Sequence, residues 1–520
     1  MTRQTIAYKI FSTSLCSPYN TKHYYRNNMY FSLLFIIISI ISFSNASLQT
    51  PDGNITSPSI SAKELIKSFN LHPKHAAAIQ PNNFDDTISK DEKLVERQIN
   101  VISNLSSEPA TPLGHYAGYY RLPHTYGARF FYLFFESRLG KKDDPVVIWL
   151  TGGPGCSSEL ALLYENGPFS ITKNLSLVWN NYGWDKASNI LYVDQPTGTG
   201  FSYTTDERDI RHDETGVSND LYDFLQGFFT KHPEYVGNDF YITGESYAGH
   251  YVPALASRVH RGNKANEGLH INLKGFAIGN GLTDPEIQYN AYADYALQMK
   301  LIQKSDYASI SSKYPDCQKT IKQCESLGNN YCESAFDTCN SIFDAILDIA
   351  GNINYYDIRK ICHGSLCYDF SAMEDYLNQK DVKDALGVPA GLDFVSCSTT
   401  VYNAMINDWV RNLEVDIPSL LEDGIKGLIY AGEYDLICNW LGNSRWVQAM
   451  EWSGQKGFLA APNKSFIVDG KEAGVLKSYG PLSFLKVHNA GHMVPMDQPK
   501  AALEMLTRWT QGILASSNSN

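Results

Sequence analysis

Gly244-Glu245-Ser246-Tyr247-Ala248-Gly249 stands between an apolar run, residues 239–243, and a stretch with helical periodicity. A serine flanked by small residues at such a junction marks a nucleophile elbow, a sharp strand-to-helix turn that exposes the hydroxyl. The strict pattern has glycine at the fifth place, and this chain departs from it by the single methyl group of Ala248. Such a serine attacks only if a base takes its proton and an acid orients that base. On elbow-bearing chains both partners follow the serine, acid first and histidine second. The acid candidates lie after a late apolar run, in Tyr430-Ala431-Gly432-Glu433-Tyr434-Asp435, and the residues alone leave Glu433 and Asp435 both open. The histidine is His492, in Asn489-Ala490-Gly491-His492-Met493-Val494-Pro495. A lone pentapeptide also suits a purely structural turn. The ordered acid and histidine behind it point instead to acyl transfer.

These groups need a scaffold. Short apolar runs at residues 146–150, 190–193, 240–243, 275–278, 427–430 and 484–487 read as strands. Helical patterns at 220–229, 250–260 and 499–513 alternate with them. Unbroken apolar strands alternating with helices imply an α/β fold, a mainly parallel central sheet flanked by helices on both faces. Residues 284–397 break this rhythm and hold most of the cysteines, so they read as an inserted, disulfide-rich cap. The core then comprises 112–283 and 398–513, with 514–520 as a tail.

The chain has 520 residues and a net charge of -12, which suits one large α/β core with insertions. The acidic balance argues against nucleic acid or an anionic membrane as partner. An apolar run at 31–43 ends in Ser44-Asn45-Ala46, small residues of the kind a signal peptidase reads, so 1–46 is a signal region with Met29 as an alternative start. The run is too short for a stable membrane span. Residues 47–111 are polar, lack cysteine and show no convincing strand, and read as a propeptide.

Secretory entry makes the cysteines readable as disulfides. Without Cys16, nine remain: Cys156, Cys317, Cys324, Cys332, Cys339, Cys362, Cys367, Cys397 and Cys438. The odd count leaves one thiol free unless it pairs between chains. The group from Cys317 to Cys339 lacks paired C-x-x-C spacing and clustered histidines, so disulfides are expected there and no metal. Sequons at Asn54, Asn104, Asn174 and Asn463 suit a glycosylated secretory protein.

Several segments together resemble the serine carboxypeptidase family. They are Trp149-Leu150-Thr151-Gly152-Gly153-Pro154-Gly155-Cys156-Ser157-Ser158, the elbow, Gly491-His492-Met493-Val494-Pro495, and the stretch from Asp435 to Asn443. The stretch from Asp435 is similar to that of vacuolar carboxypeptidase Y, and residues 158–168 are similar to single-chain plant members. The likeness runs from about Gly114 onward. It implies an α/β-hydrolase fold and a peptidase that releases C-terminal residues from peptides and proteins at acidic pH, through an acyl-enzyme on Ser246. By the same resemblance, Asp435 and not Glu433 is the acid, and the amides of Gly153 and Tyr247 hold the oxyanion. Trp149, Thr151, Glu165 and Glu245 match positions that bind the substrate's terminal carboxylate, with Thr151 standing where the yeast-like pattern has Asn. Two acids can bind an anion if one stays protonated, because close like charges raise a pKa. Cys438 and Met493 match positions lining the leaving-residue pocket, and Cys438 resembles the family's free cysteine. The implied pairs are Cys156–Cys397, Cys317–Cys339, Cys324–Cys332 and Cys362–Cys367.

Expected partners are peptide or protein substrates with a free C-terminus, acting on a monomer or homodimer in the vacuole or outside the cell, with no cofactor. Three other readings share the scaffold: an acyltransferase using glucose esters, a plain lipase or esterase, and a non-catalytic protective or binding protein. Glu165 and Glu245 favour peptide recognition.

Overall fold

Val146–Leu150 is buried at every position, which is why this strand reads as an unbroken apolar run and must have cover on both faces. The computed structural model describes residues 94–99, 115–364 and 366–516, all within one compact unit, Ser59–Asn520. Its strands are β1 Leu94–Gln98, β2 His115–Arg121, β3 Arg129–Phe135, β4 Val146–Leu150, β5 Phe169–Ile171, β6 Leu177–Trp179, β7 Asn189–Val193 and β8 Phe240–Glu245. After these come β9 Leu273–Gly279, β10 Ile353–Asn354, β11 Asp357–Ile361, β12 Lys426–Gly432, β13 Lys464–Val468, β14 Lys471–Tyr479 and β15 Leu482–Val487.

Eleven of them form one sheet in the order β1-β2-β3-β7-β4-β8-β9-β12-β15-β14-β13. The centre, β7 through β15, is parallel. Both flanks are antiparallel. The expectation of a parallel sheet therefore holds at the centre, and the antiparallel margins close the sheet without further crossover helices. This is the α/β-hydrolase fold.

Helix Glu214–Lys231 shows how one face is covered. Asp213 caps it by accepting from the Gly216 amide, and Val217, Leu221, Phe224, Leu225 and Phe228 recur at helical spacing on its buried side. That stripe joins Tyr251, Val252 and Leu255 of helix Ala248–Ala265 on one side of the sheet. Met505, Leu506 and Trp509 of helix Pro499–Thr510 cover the other, Trp509 lying 5.0 Å from Tyr241.

Between β9 and β12 the chain leaves the sheet and builds a helical insertion. Helices Tyr314–Leu327 and Cys332–Ala350 pack through a core that contains Ile321, Phe336 and Ile342. Cys317–Cys339 and Cys324–Cys332 staple this pair, and Cys362–Cys367 closes a short loop after β11. Cys156–Cys397 joins the glycine-rich loop after β4 to the far end of the insertion, across 241 residues of sequence. Cys438 is free and buried. Asn174 and Asn463 are exposed, while the signal region, Met29, Asn54 and Asn104 lie outside the described residues. Among the described residues no helix is long and apolar enough to cross a membrane.

One expectation is overturned. Residues 47–111 were expected to hold no strand, yet Leu94–Gln98 pairs antiparallel with β2 as the outermost strand of the sheet. The reason is tertiary: Glu96 accepts from Tyr132 (2.6 Å) and meets His232 at 2.7 Å, both side chains of the ion pair being almost fully buried. Arg97 donates to the Asp384 carbonyl at 3.0 Å. Burial pushes the Glu96 carboxyl up, but the bonds from His232 and Tyr132 outweigh it and leave its pKa below the ordinary value. Burial likewise pushes His232 down, and Glu96 reverses this to a net rise.

Glu96→Ala leaves the buried His232 imidazole with only Glu234, at 3.3 Å, and should cost about 1–3 kcal/mol, read as a lower unfolding temperature. Glu96 contributes above its ordinary range near ~4.3 and loses that contribution as pH falls through its lowered folded value. His232 contributes below about 6.5 and loses it as pH rises through its raised folded value. The gap between wild type and variant should therefore be widest at mildly acidic to neutral pH; a pH-independent gap would contradict the ion pair. Thiol titration of unreduced, denatured protein lacking Cys16 should find one free thiol.

Candidate active site

Strand β8 ends at Glu245 and helix Ala248–Ala265 begins two residues after Ser246, so the turn is as short as a strand-to-helix junction allows. Ser246 takes a φ of 67°, a left-handed conformation that a serine holds only when its surroundings impose it. They do: its amide donates to Gly279 (3.0 Å), and its carbonyl accepts from Gly249 (2.9 Å) and Leu282 (3.0 Å). The loop after β4 presses on the turn from above. A Cβ on Gly152 would lie 2.7 Å from the Glu245 carbonyl and collide with the Tyr247 amide, so only glycine fits. Opposite Ala248 stands Gly244, where an added Cβ would come within 2.6 Å of the alanine methyl. The elbow tolerates alanine at its fifth place because its first place is glycine. Gly153 has a φ of 109° and crowds Cys156 of its own loop, while the contact with the elbow belongs to Gly152.

The late acid and histidine converge behind the serine. His492 Nδ1 lies 2.8 Å from Asp435 Oδ2, and both residues are buried. Asp435 also accepts from Asn280 Nδ2 (2.8 Å) and from the amides of Ile437 (3.1 Å) and Cys438 (3.2 Å). A buried carboxylate with this many donors has the partners that an ion needs. The His492 amide donates to the Tyr356 carbonyl at 2.7 Å and its ring packs on Tyr356 at 5.0 Å, which fixes the imidazole plane. Glu433 points elsewhere, to Lys486 at 3.2 Å and His488 at 3.3 Å. The open choice of acid thus falls to Asp435 on geometry.

Asn280 was not singled out from the sequence. It follows β9 directly, at the carboxyl edge of the parallel strands where sites of this architecture collect, and that position was the available signal. Its φ of 41° suits asparagine, and its Oδ1 accepts from the Gly432 amide at 3.1 Å while its Nδ2 serves Asp435. One amide side chain therefore ties the end of β12 to the acid.

Ser246, His492, Glu245, Thr151, Gly153, Tyr247, Cys438 and Met493 line one cleft. Glu165 lies against Glu245, both buried, and the two carboxyls share a hydrogen bond. Burial pushes Glu165 up to about 8, and burial together with the Glu165 charge pushes Glu245 well above the carboxylate range. Each keeps one oxygen, Oε2, with no protein partner among the described residues. Such a pair retains a proton at neutral pH and can donate to an anion. Trp149 is buried in β4, and its indole N–H donates to Thr151 Oγ1 at 3.0 Å. Threonine thus satisfies the indole, although it reaches less far than the asparagine of the yeast-like pattern. Burial raises the Cys438 thiol well above its ordinary value, so it stays a neutral wall of the cleft. The amides of Gly153 and Tyr247 donate to no protein group among the described residues. The insertion supplies the facing wall, including Tyr289, Phe336 and Asn340.

Residues 106–512 match the serine carboxypeptidase family. The chain is similar to serine carboxypeptidase 3 of Oryza sativa subsp. japonica, 63% identical over 93% of this chain and 95% of that protein. It is also similar to serine carboxypeptidase-like 48 of Arabidopsis thaliana, 64% identical over 88% of this chain and 90% of that one. Among solved structures it resembles Kex1Δp, a prohormone-processing carboxypeptidase from Saccharomyces cerevisiae, with a TM-score of 0.70 and 28% identity over 77% of this chain and 92% of that one. With a serine at a strained elbow, an Asp–His pair behind it and this match across the described core, the chain belongs to the serine carboxypeptidase family.

Proposed function

We propose that the protein removes single residues from the C-termini of peptides and proteins at acidic pH, through an acyl-enzyme on Ser246. Ser246 Oγ attacks the scissile carbonyl while His492 Nε2 takes the hydroxyl proton. Asp435 holds Nδ1 of the ring and stabilises the imidazolium, a role supported by their 2.8 Å contact. The free amides of Gly153 and Tyr247 would receive the oxyanion. Collapse of the tetrahedral intermediate breaks the C–N bond, and His492 returns its proton to the leaving amine. Water, deprotonated by the same histidine, then cleaves the ester.

The observation that carries the exopeptidase reading is the buried Glu165–Glu245 pair, whose Glu245 lines the same cleft as Ser246. A plain esterase has no use for two carboxyls desolvated together. A protonated pair donates hydrogen bonds to the substrate's terminal carboxylate, with Trp149 and Thr151 alongside, and so sets the scissile bond one residue from the end. Cys438 and Met493 would then face the departing side chain, favouring apolar residues with loose selection. Four disulfides support folding on the secretory route. A proton-dependent anchor suits an acidic compartment such as the vacuole, with residues 1–46 as signal and much of 47–111 as propeptide.

Timed release of residues from a free peptide, followed by mass spectrometry, tests this reading. Stepwise loss from the C-terminus is expected; transfer of acyl groups from glucose esters without peptide shortening would overturn it. For free-acid peptides KM should rise with pH as the pair gives up protons, Glu165 doing so at about 8. Substrates with a blocked C-terminus should be much less affected, and identical profiles would contradict the role of the pair. Asn280→Ala removes a charge-assisted hydrogen bond from Asp435 and should lower kcat about 10- to 100-fold at nearly constant KM. An unchanged kcat would show that Asp435 does not need this donor.

A further inference from the structure

Behind the elbow, on the side away from the cleft, lies a second polar cluster that the mechanism above does not use. Asp408, in the connection that leads from the insertion back to β12, is buried. Its Oδ2 accepts from the Tyr247 hydroxyl at 3.0 Å and lies 3.0 Å from His250 Nδ1; its Oδ1 accepts from the Glu214 amide at 3.3 Å. Glu214 is the first residue of helix Glu214–Lys231, so the positive end of that helix faces the carboxylate. The Tyr247 ring is packed by two aromatic neighbours. His250 stacks on it at 4.6 Å and 28°, and Trp409 lies over it at 5.5 Å and 36°. Trp409 also donates to the Tyr289 hydroxyl at 3.1 Å, and both of these residues line the cleft.

We propose that Asp408, clamped by His250 and the Glu214 amide, is a positioning residue that fixes the Tyr247 amide in the geometry needed for the oxyanion and couples it to the cleft wall through Trp409. A backbone donor works in catalysis only if it is already aimed where charge develops. The Tyr247 amide directly follows Ser246, whose φ of 67° is a left-handed conformation. That peptide plane is held at its other end by the Ser246 carbonyl, which accepts from the Gly249 and Leu282 amides, and the Tyr247 side chain, pinned at its hydroxyl and packed against His250 and Trp409, adds a second hold. The glycine-rich loop blocks movement toward the cleft, since a Cβ at Gly152 would already strike the Tyr247 amide. Asp408 blocks movement away from it. Burial, and then the charge of Asp408, raise the Glu214 carboxyl well above its ordinary range. The same three side chains bring ligand atoms within 4.8 Å of one another, so a bound cation is the rival occupant.

This inference rests on the acyl-transfer reading, and the test separates the two. Tyr247→Phe, Asp408→Asn and the double variant are compared with wild type in kcat and KM for a free-acid peptide, and in the rate of inactivation by diisopropyl fluorophosphate. Phosphorylation of Ser246 needs the same oxyanion donors but no C-terminal recognition. Each single variant should lower kcat and the inactivation rate about tenfold, a fraction of what losing a donor outright costs, with KM within about twofold. The double variant should be no worse than the more damaged single, because both break one contact. If peptide turnover is absent from wild type but the variants still slow inactivation, the peptidase reading fails and the positioning role stands. Unchanged kcat and inactivation rate in Tyr247→Phe, which merely removes one hydroxyl, would overturn the inference. Effects that multiply in the double variant would overturn it too. So would stoichiometric metal in the purified enzyme whose removal abolishes activity.

Discussion

The site depends on the contact between Gly152 and the elbow, where no side chain of any size fits between the two backbones. Because the loop after β4 must pass there, the Gly153 and Tyr247 amides face the same cleft and Ser246 is locked into its left-handed turn. Cys156 lies a few residues further along that loop, and its bond to Cys397 anchors the far end of the insertion to it. The wall that the insertion contributes to the cleft is thereby tied to the segment that shapes the elbow. Sheet order explains why the loop passes there at all, since β4 and β8 are neighbours and both strands release their chains at the same edge.

Three buried acidic groups surround this contact, and each meets the cost of desolvation differently. Asp435 is wrapped in hydrogen bonds from Asn280, two amides and His492, which replace the water it has lost. Glu165 and Glu245 have mainly each other, and burial drives both toward the protonated form. Asp408 sits at a helix N-terminus beneath a phenol and an imidazole, while its neighbour Glu214 is pushed toward neutrality. Residues of one chemical type thus serve as the partner of His492, a proton-sharing donor pair and an anchor, set apart by their surroundings.

Much of this was legible before any geometry. The central strands announced themselves because burial on both faces demands unbroken apolar runs, as in Val146–Leu150. The edge strand Leu94–Gln98 did not, since Leu-Val-Glu-Arg-Gln has no apolar run and its Glu96 reads as an ordinary surface charge. Its place depends on His232 and Tyr132, far away along the chain. Asn280 and Asp408 escaped for the same reason: an asparagine after a strand and an aspartate in a connection carry no periodic signature, and each acts on a partner more than 150 residues distant.

By itself the sequence determined which reactive groups exist and in what order, because a serine elbow, a later acid and a last histidine are local patterns. It also determined the glycines at Gly152 and Gly244, whose missing side chains the elbow requires. Only the tertiary structure placed Asp435, the acid that the resemblance already favoured, against His492 while Glu433 turns to Lys486. It alone brought Glu165 against Glu245, where burial raises both pKa values, and pinned the Tyr247 hydroxyl on Asp408. The physical reason is common to all three. Protonation and orientation are set by burial and by distances of about 3 Å between groups remote in sequence, and no local pattern of residues encodes those.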